Sequence, residues 1–429
     1  MKREERTLFA WCLYDWGNSA FTTLVVTFIY STYFSQALAP TPEAGTVLWS
    51  RAMGLSALAI ALLSPFLGAV ADRGGHRRRT LAIATLLCIA CTAGLTFVAP
   101  GHSFSILLAL TLFVGANTAY EIGIVFYNAY LPELAPPERS GRVSGYGWGL
   151  GYVGGILCLL LALILLVGNA PLLGLPREAG LHVRATNLLT ALWFLLFTLP
   201  FLFLAPPEQQ SPQPVTVATA LDDLAATFRS LREFRQVVRF LLAHLIYNDG
   251  LITIFAFGGI YAAGTFGMTI AEVVFFGIAL NMAAGIGAFL FGHLEDAIGS
   301  KPTIRLTLVG LTIATTIAAI APNRLWLWLA GLVLGLFVGP NQSASRAFMG
   351  RLTPASHRAQ FFGFFTLSGK ITSFLGPILL GSATAFFHSQ RAGIATIILF
   401  FVLGGILLLT VQETPPSQGD PAETFAPAD

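Results

Sequence analysis

The sequence predicts an all-α integral membrane protein whose twelve transmembrane helices form two six-helix bundles repeated in parallel. Three observations carry that prediction. Of 429 residues, 55% are hydrophobic and only 10% charged, against about 25% charged in a soluble domain, and the mean hydropathy is +0.73. Apolar runs of about 20 residues, the length that crosses a bilayer as a helix, recur along the chain, whereas barrel strands would show as alternating segments of about 10 residues. Finally, short polar motifs of the first half return in the second in the same order.

The formal charge of +3, from 24 basic and 21 acidic residues, gives no ground for a nucleic-acid partner. Cys12, Cys88, Cys91 and Cys158 all lie inside apolar runs, where cysteine behaves as a small buried hydrophobe. No disulfide framework, metal set or cofactor is therefore expected.

Taken in order, spans are expected near 8–34, 48–70, 80–99, 104–130, 143–167 and 185–204, and then near 237–264, 269–294, 303–321, 325–349, 361–387 and 392–411. The first run carries Asp15 and Asn18 and is too long for a signal-peptide core, so it is read as a retained span. The gap between the halves opens on Pro206, Pro207, Pro212 and Pro214, then sets Leu221, Leu224, Phe228 and Leu231 at helical spacing among charges. It reads as a linker with an amphipathic surface helix. The domains are thus a first bundle at 1–204, a cytoplasmic linker at 205–236, a second bundle at 237–412 and a disordered cytoplasmic tail at 413–429.

Orientation follows from the basic residues, which resist translocation beside a span. Placing both termini and the linker inside puts 17 of the 24 Lys and Arg on that side; Arg51, Arg177, Arg184, Arg324 and Arg391 fall outside, and Arg346 and Lys370 lie within spans. The inner membrane of a cell is the expected location.

The halves match at three places. Gly68, Asp72, Gly75 and Arg77 return as Gly292, Asp296, Gly299 and Lys301; Leu134, Pro136, Arg139, Arg142 and Gly145 return as Leu352, Pro354, His357, Gln360 and Gly363; Tyr14-Asp15 returns as Tyr247-Asn248. Parallel six-span repeats are an architecture of secondary transporters, with the solute site at the repeat interface.

The loop Gly68-Ala69-Val70-Ala71-Asp72-Arg73-Gly74-Gly75-His76-Arg77-Arg78 resembles the signature of the major facilitator superfamily, with a second copy at 292–301. It departs from that signature at His76, a position usually basic. Tyr14-Asp15-Trp16-Gly17-Asn18-Ser19-Ala20, Phe126-Tyr127-Asn128, the run 141–148, Tyr247-Asn248-Asp249-Gly250 and Phe361-Phe362-Gly363 resemble the vacuole-effluxer branch of that superfamily. That resemblance implies kinship with bacterial permeases and fungal autophagy-related vacuolar amino-acid exporters. It also implies a cavity lined by spans one, four, seven and ten.

The loop motif has its own physical reading. Asp72, at the end of span two, can accept hydrogen bonds from Arg73 or Arg77 and from a neighbouring helix N-terminus, latching two bundles together. Asp296 repeats it, and Arg139 and Arg142 belong to the same set of gating candidates. Gly145, Gly147, Gly149, Gly151, Gly154 and Gly155 open span five to close helix contact. Pro65, Pro340 and Pro377 are read as hinges or kinks.

An ionisable group within a span costs about 2.5–3.5 kcal/mol at mid-membrane, which marks it as functional. Asp15, Glu121, Asp249, Arg346 and Lys370 are such groups, with Asn18, Asn128, Asn248, Tyr14, Tyr127 and Tyr247 beside them. Four of the five, Asp15, Glu121, Asp249 and Arg346, are expected to face one water-filled space; Arg346 or Lys370 would take a solute carboxylate and one ionised acid its ammonium, the alternative for Lys370 being a structural ion pair to a carboxylate. His244 reads as a packing residue. Neutral polar groups beside paired charges suit a zwitterion, so the expected solute is small and polar, an amino acid or its like; an amphipathic drug or lipid is the alternative. Three acids against two bases leave one negative charge in excess, so one acid is expected to take up a proton when the site closes. Asp249 is the candidate, because span seven has no basic residue at comparable depth.

A membrane enzyme would need a nucleophile with its base, a metal set or a phosphate loop, and the sequence offers none. A non-transporting sensor of the same fold is the remaining alternative. The expected partners of this monomer are its solute, the bilayer and protons.

Overall fold

The computed structural model describes residues 3–102, 104–168, 170–206, 219 and 233–412. The expected linker helix and the expected tail lie outside the described residues.

Span one begins as α1 (Arg3–Ala20) and continues through Phe21–Phe28 and Phe34–Leu38, two stretches of wide, π-type turns. It is followed by α2 (Pro42–Gly74), α3 (Arg77–Leu95), α4 (Ser105–Ala129), α5 (Ser140–Ala162) and α6 (Leu181–Leu204). The second half comprises α7 (Arg235–Phe266), α8 (Ile270–Ile298), α9 (Ser300–Ile320), α10 (Arg324–Leu352), α11 in two pieces (Arg358–Ser368 and Leu375–Phe387) and α12 (Gln390–Leu409). Ten of these are long and apolar enough to cross a membrane, and span one and α11 complete the twelve. The fold is the all-α, two-bundle arrangement that the sequence implies.

Helix limits follow local chemistry. Thr41 caps α2 through its side chain and Gly75, at φ 62°, ends it, since only glycine takes the left-handed turn without strain. Thr269 and Glu272 form a reciprocal capping box at the start of α8, which satisfies two orphan amides. Pro65 and Pro340 sit inside unbroken helices. The difference from expectation is α11, read as one span and found interrupted between Ser368 and Leu375. Pro377 lacks the N–H that a continuous helix would direct at the carbonyl of Ser373, and Gly369 weakens the turn before it.

The halves meet tightly at the end where α1 begins and α12 finishes, the closed end. Here glycines set the spacing. A Cβ on Gly68 would stand 2.5 Å from the carbonyl oxygen of Ala359, and one on Gly145 would overlap the carbonyl of Ala288. The glycine run of α5 also seats α1: Gly151 faces Ser19 and Gly154 faces the Trp16 backbone. Leucines, isoleucines and phenylalanines such as Leu62, Phe203, Phe275 and Ile406 lie exposed on the outer faces, where lipid solvates them.

Candidate functional site

Two ion pairs join the halves at the floor of a central cavity. Arg346 on α10 places Nη1 2.9 Å from Oδ2 of Asp15 on α1. Its Nε donates to the Ser144 hydroxyl at 2.9 Å and its Nη2 to the Ser144 carbonyl at 2.7 Å, while Nη1 also reaches Asn128 Oδ1 at 3.4 Å. The rings of Trp11, Tyr127 and Trp148 lie 4.8, 5.7 and 5.6 Å from the guanidinium carbon. A planar cation with its donors filled and aromatic faces around it tolerates burial that a bare charge would not, and Arg346 is only 3% exposed. Asn18 Nδ2 donates to Asp15 Oδ1 at 3.3 Å, completing the carboxylate's set.

The second pair is more open. Lys370 Nζ, at the start of the α11 interruption, stands 2.7 Å from Glu121 Oε1 on α4, and the two side chains keep 31% and 15% of their exposure. Asn248 Nδ2 donates to the freed carbonyl of Gly369 at 3.0 Å. His244 Nδ1 bonds Ser368 Oγ at 2.8 Å and its ring stacks 4.1 Å from Phe365, the packing role the sequence suggested.

The cavity encloses about 760 Å3, and its lining runs from these pairs to Phe28, Val273 and Leu327 near the opposite helix ends. Asp15, Asn18, Glu121, Asn128, Asn248, Arg346 and Lys370 all line it. Tyr14, Tyr127 and Asp249 do not face it, which corrects three expectations. Tyr14 is held by Thr85 at 2.7 Å and stacked on Tyr127, whose hydroxyl donates to the Trp11 carbonyl; both rings are core that supports Asp15 and Arg346 from behind. Asp249 points from α7 toward α11, where Oδ2 accepts from Gly376 N at 3.2 Å. Four of the five charged groups do share one space, with Lys370 in the place expected of Asp249. The sequence could not show this, because the shift depends on the α11 interruption.

The latches sit nearer the closed end and repeat each other. Asp72 accepts from the amides of Ala359 and Gln360 at 3.0 and 2.8 Å, at the start of α11. Asp296 accepts from the amides of Gly141 and Arg142 at 3.0 and 3.3 Å, at the start of α5, and pairs with Arg142 Nε at 2.5 Å. Each carboxylate thus fills the orphan donors of a helix N-terminus in the other half. Gly292 packs against Gly141 and Arg142 as Gly68 packs against Ala359 and Gln360, and Gly299 turns the chain at φ 92° as Gly75 does.

Other gating expectations change. Lys301 binds the carbonyls of Leu409 and Val411 at the end of α12 in its own half, as Arg78 binds those of Leu202 and Phe203 at the end of α6; these bonds fasten each bundle within itself. Arg73 donates to the Thr219 carbonyl at 3.3 Å. Arg139 lies exposed. Arg77 pairs with Glu133 at 2.7 Å, and Glu133 also holds Arg358 of the other half at 3.0 Å. Glu133, Arg358, Ser144 and the Tyr152–Gln342 hydrogen bond of 2.7 Å across the cavity were missed by the sequence reading. Glu133 and Ser144 lie in or beside the repeated fourth-loop motif, which is the signal that could have found them.

Two parallel-repeated six-helix bundles, latched at one end and parted by a cavity with a charged floor, define a transporter of the major facilitator superfamily. Among solved structures, the fucose transporter FucP in its outward conformation superposes with a TM-score of 0.76 at 12% identity, covering 96% of this chain and 100% of that one. The proton:xylose symporter XylE gives 0.74 at 12% identity, covering 95% and 96%. The chain matches the family described as "Vacuole effluxer Atg22 like" over residues 44–415, and it belongs to that family. An uncharacterized MFS-type transporter, YxiO of Bacillus subtilis (strain 168), is 27% identical over 422 residues, 96% of each chain. Autophagy-related protein 22 of Coccidioides immitis (strain RS) is 22% identical over 437 residues, covering 83% of this chain and 71% of that one. The chain is a multi-pass membrane transporter and not an enzyme.

Proposed function

We propose that this transporter exports a small zwitterion of the amino-acid class by alternating access, driven by protons. The observation that carries this reading is the Glu121–Lys370 pair, which bridges the two halves yet remains partly open to the cavity. A zwitterion entering from the cavity sets its carboxylate on Lys370 and its ammonium on Glu121. Each buried charge then keeps a partner, and the solute becomes part of the bridge between the halves. A neutral amphiphile offers no replacement charge and would leave both groups costly. Asp15 and Arg346, more deeply buried in the same lining, hold the halves at the floor.

Closing the cavity and releasing the latches would expose the site at the other end, the two-state exchange that parallel repeats perform around a midplane site. Proton coupling is supported by Asp249, the one group of the five outside an ion pair among the described residues. The effluxer description of the family supports export. The excess of Lys and Arg beside the closed end supports a cytoplasmic placement of that end and of both termini in a cell membrane.

The test is uptake of labelled amino acids into proteoliposomes under an imposed pH gradient. The expected result is gradient-driven accumulation of a subset of amino acids, lost in Glu121→Gln and Lys370→Gln. Uptake of amphipathic dyes with no amino-acid flux would move the assignment to the amphiphile class. Accumulation indifferent to the gradient would remove the proton.

A further inference from the structure

Asp249 raises a question that the solute cavity does not answer. It is 2% exposed and its Oδ1 has no hydrogen-bond partner, and one turn further along α7 Thr253 is fully buried with an Oγ1 in the same condition. The two unpartnered oxygens face one spot. A Cβ added to Gly376 would overlap Thr253 Oγ1 and lie 3.0 Å from Asp249 Oδ1. Neither Asp249 nor Thr253 lines the cavity, although Asn248, Leu251 and Ile252 of the same helix do.

We propose that Asp249, Thr253 and the backbone amide of Gly376 form a proton-holding site separate from the solute site and joined to it through the interruption in α11. The proposal rests on the proton-coupled reading above. Gly376 lies at the start of the second piece of α11, and its amide already holds Oδ2 of Asp249. When Oδ1 takes a proton from water, the new O–H needs an acceptor, and a rotation about the Thr253 side chain brings its idle oxygen to it. The proton leaves again to water when this face opens. The interruption between Ser368 and Leu375 carries Lys370 at one edge and Gly376 at the other. Protonation that loosens the Gly376 tether therefore frees the segment that holds Lys370 against Glu121. Proton and solute act on one movable segment without competing for one place.

Among the described residues, the other titratable groups on the helices packed against Asp249 are engaged elsewhere or distant. On α7, His244 is bonded to Ser368. On α11, Lys370 is paired with Glu121 and His388 lies beyond the far end of the helix. On α12, Arg391 binds the Ala319 carbonyl, and on α10 Arg346 is paired with Asp15. Gly404 of α12 and Ser345 of α10 meet α7 at Tyr247, two residues back, without adding a charge.

The test needs no solute. Thr27 lines the cavity and is exposed, so the rate at which an impermeant maleimide labels Thr27→Cys in the full-length protein reports how often the cavity is open. The rate, divided at each pH by that of Leu172→Cys, an exposed thiol outside the cavity that cancels the ionisation of the thiol itself, is measured between about pH 5 and pH 8, with a Thr27-bearing parent as the blank. It is expected to change with pH, to lose at least four-fifths of that change in Asp249→Asn and in Thr253→Val, and to keep it in Thr253→Ser. Recovery by Thr253→Ser, which restores only the hydroxyl, is a result that a merely structural lesion would not give. A Thr253→Val protein that titrates like Thr27→Cys alone overturns the site and leaves proton coupling standing. An unmodified response in Asp249→Asn overturns it as well, and a Thr27→Cys protein that ignores pH overturns site and coupling together. If the pH response follows this pattern while no amino acid is transported, only the solute assignment fails.

Discussion

Arg346 and Asp15 are placed so that each is the other's reason for being buried. Removing one partner of such a pair leaves an uncompensated charge and costs about 3–5 kcal/mol, whereas removing both costs far less. Arg346→Gln is accordingly expected to lower the thermal midpoint of the purified protein sharply, and Asp15→Asn/Arg346→Gln to recover more than half of the loss. Additive losses in the double mutant would show that the two residues act independently. Glu121→Gln and Lys370→Gln are expected to lower the midpoint less than Arg346→Gln does, since this pair keeps more contact with the cavity, while abolishing exchange. The five charges were legible because insertion cost flags any ionisable group inside an apolar run. Their pairing was not. It joins residues 331 apart for Asp15 and Arg346, and nothing local encodes it. The tyrosines misled the reading because a phenol beside a carboxylate has the same sequence signature whether it faces a cavity or, like Tyr14 and Tyr127, stacks behind one.

At the level of elements, the two latches are carboxylates placed on helix N-termini across the bundle interface. A charge so placed is worth about 0.3–1 kcal/mol, reaching about 2 kcal/mol when partly buried, and both Asp72 and Asp296 are shielded from solvent on their amide side. Asp72→Asn and Asp296→Asn are each expected to shift the balance between closed-end-shut and closed-end-open states by roughly five- to thirtyfold. The double mutant should show about the product. The measure is labelling of Thr27→Cys, which should slow as the cavity spends less time open. Labelling that stays constant in the double mutant would remove the latches from the mechanism. Gly145→Ala, whose new methyl would meet the Ala288 carbonyl, should shift the balance the same way, because backbone cannot yield as a flexible side chain does. The latch was readable from Gly, Asp and Gly recurring at equal spacing. The α11 interruption was not, because Gly369 and Pro377 are eight residues apart in an otherwise apolar run, and a kink and a break look alike at that distance.

For the whole molecule, the repeat makes the halves equivalent in fold but unequal in charge, and the inequality places the work. Both halves carry a latch and a glycine-lined seam; among the described residues, the second adds, in α11, a helix interrupted beside a lysine, with a carboxylate outside any ion pair behind it. The second half is therefore expected to hold the moving segment, with the first supplying Glu121 and Asp15 as fixed counter-charges. This division also demands a definite orientation, because a proton taken up at Asp249 and a solute taken up at Lys370 must leave on defined sides. The basic excess beside the closed end is the ground for the proposed orientation, with that end cytoplasmic. Leu172, 75% exposed near the open end, and Ser356, exposed in the turn before α11, report the two sides. An impermeant maleimide added to intact cells should label Leu172→Cys at once and Ser356→Cys only after permeabilisation. The reverse pattern would invert the molecule in the membrane and put the cavity on the cytoplasmic side, leaving the direction of net flux to the gradients and the sense of coupling.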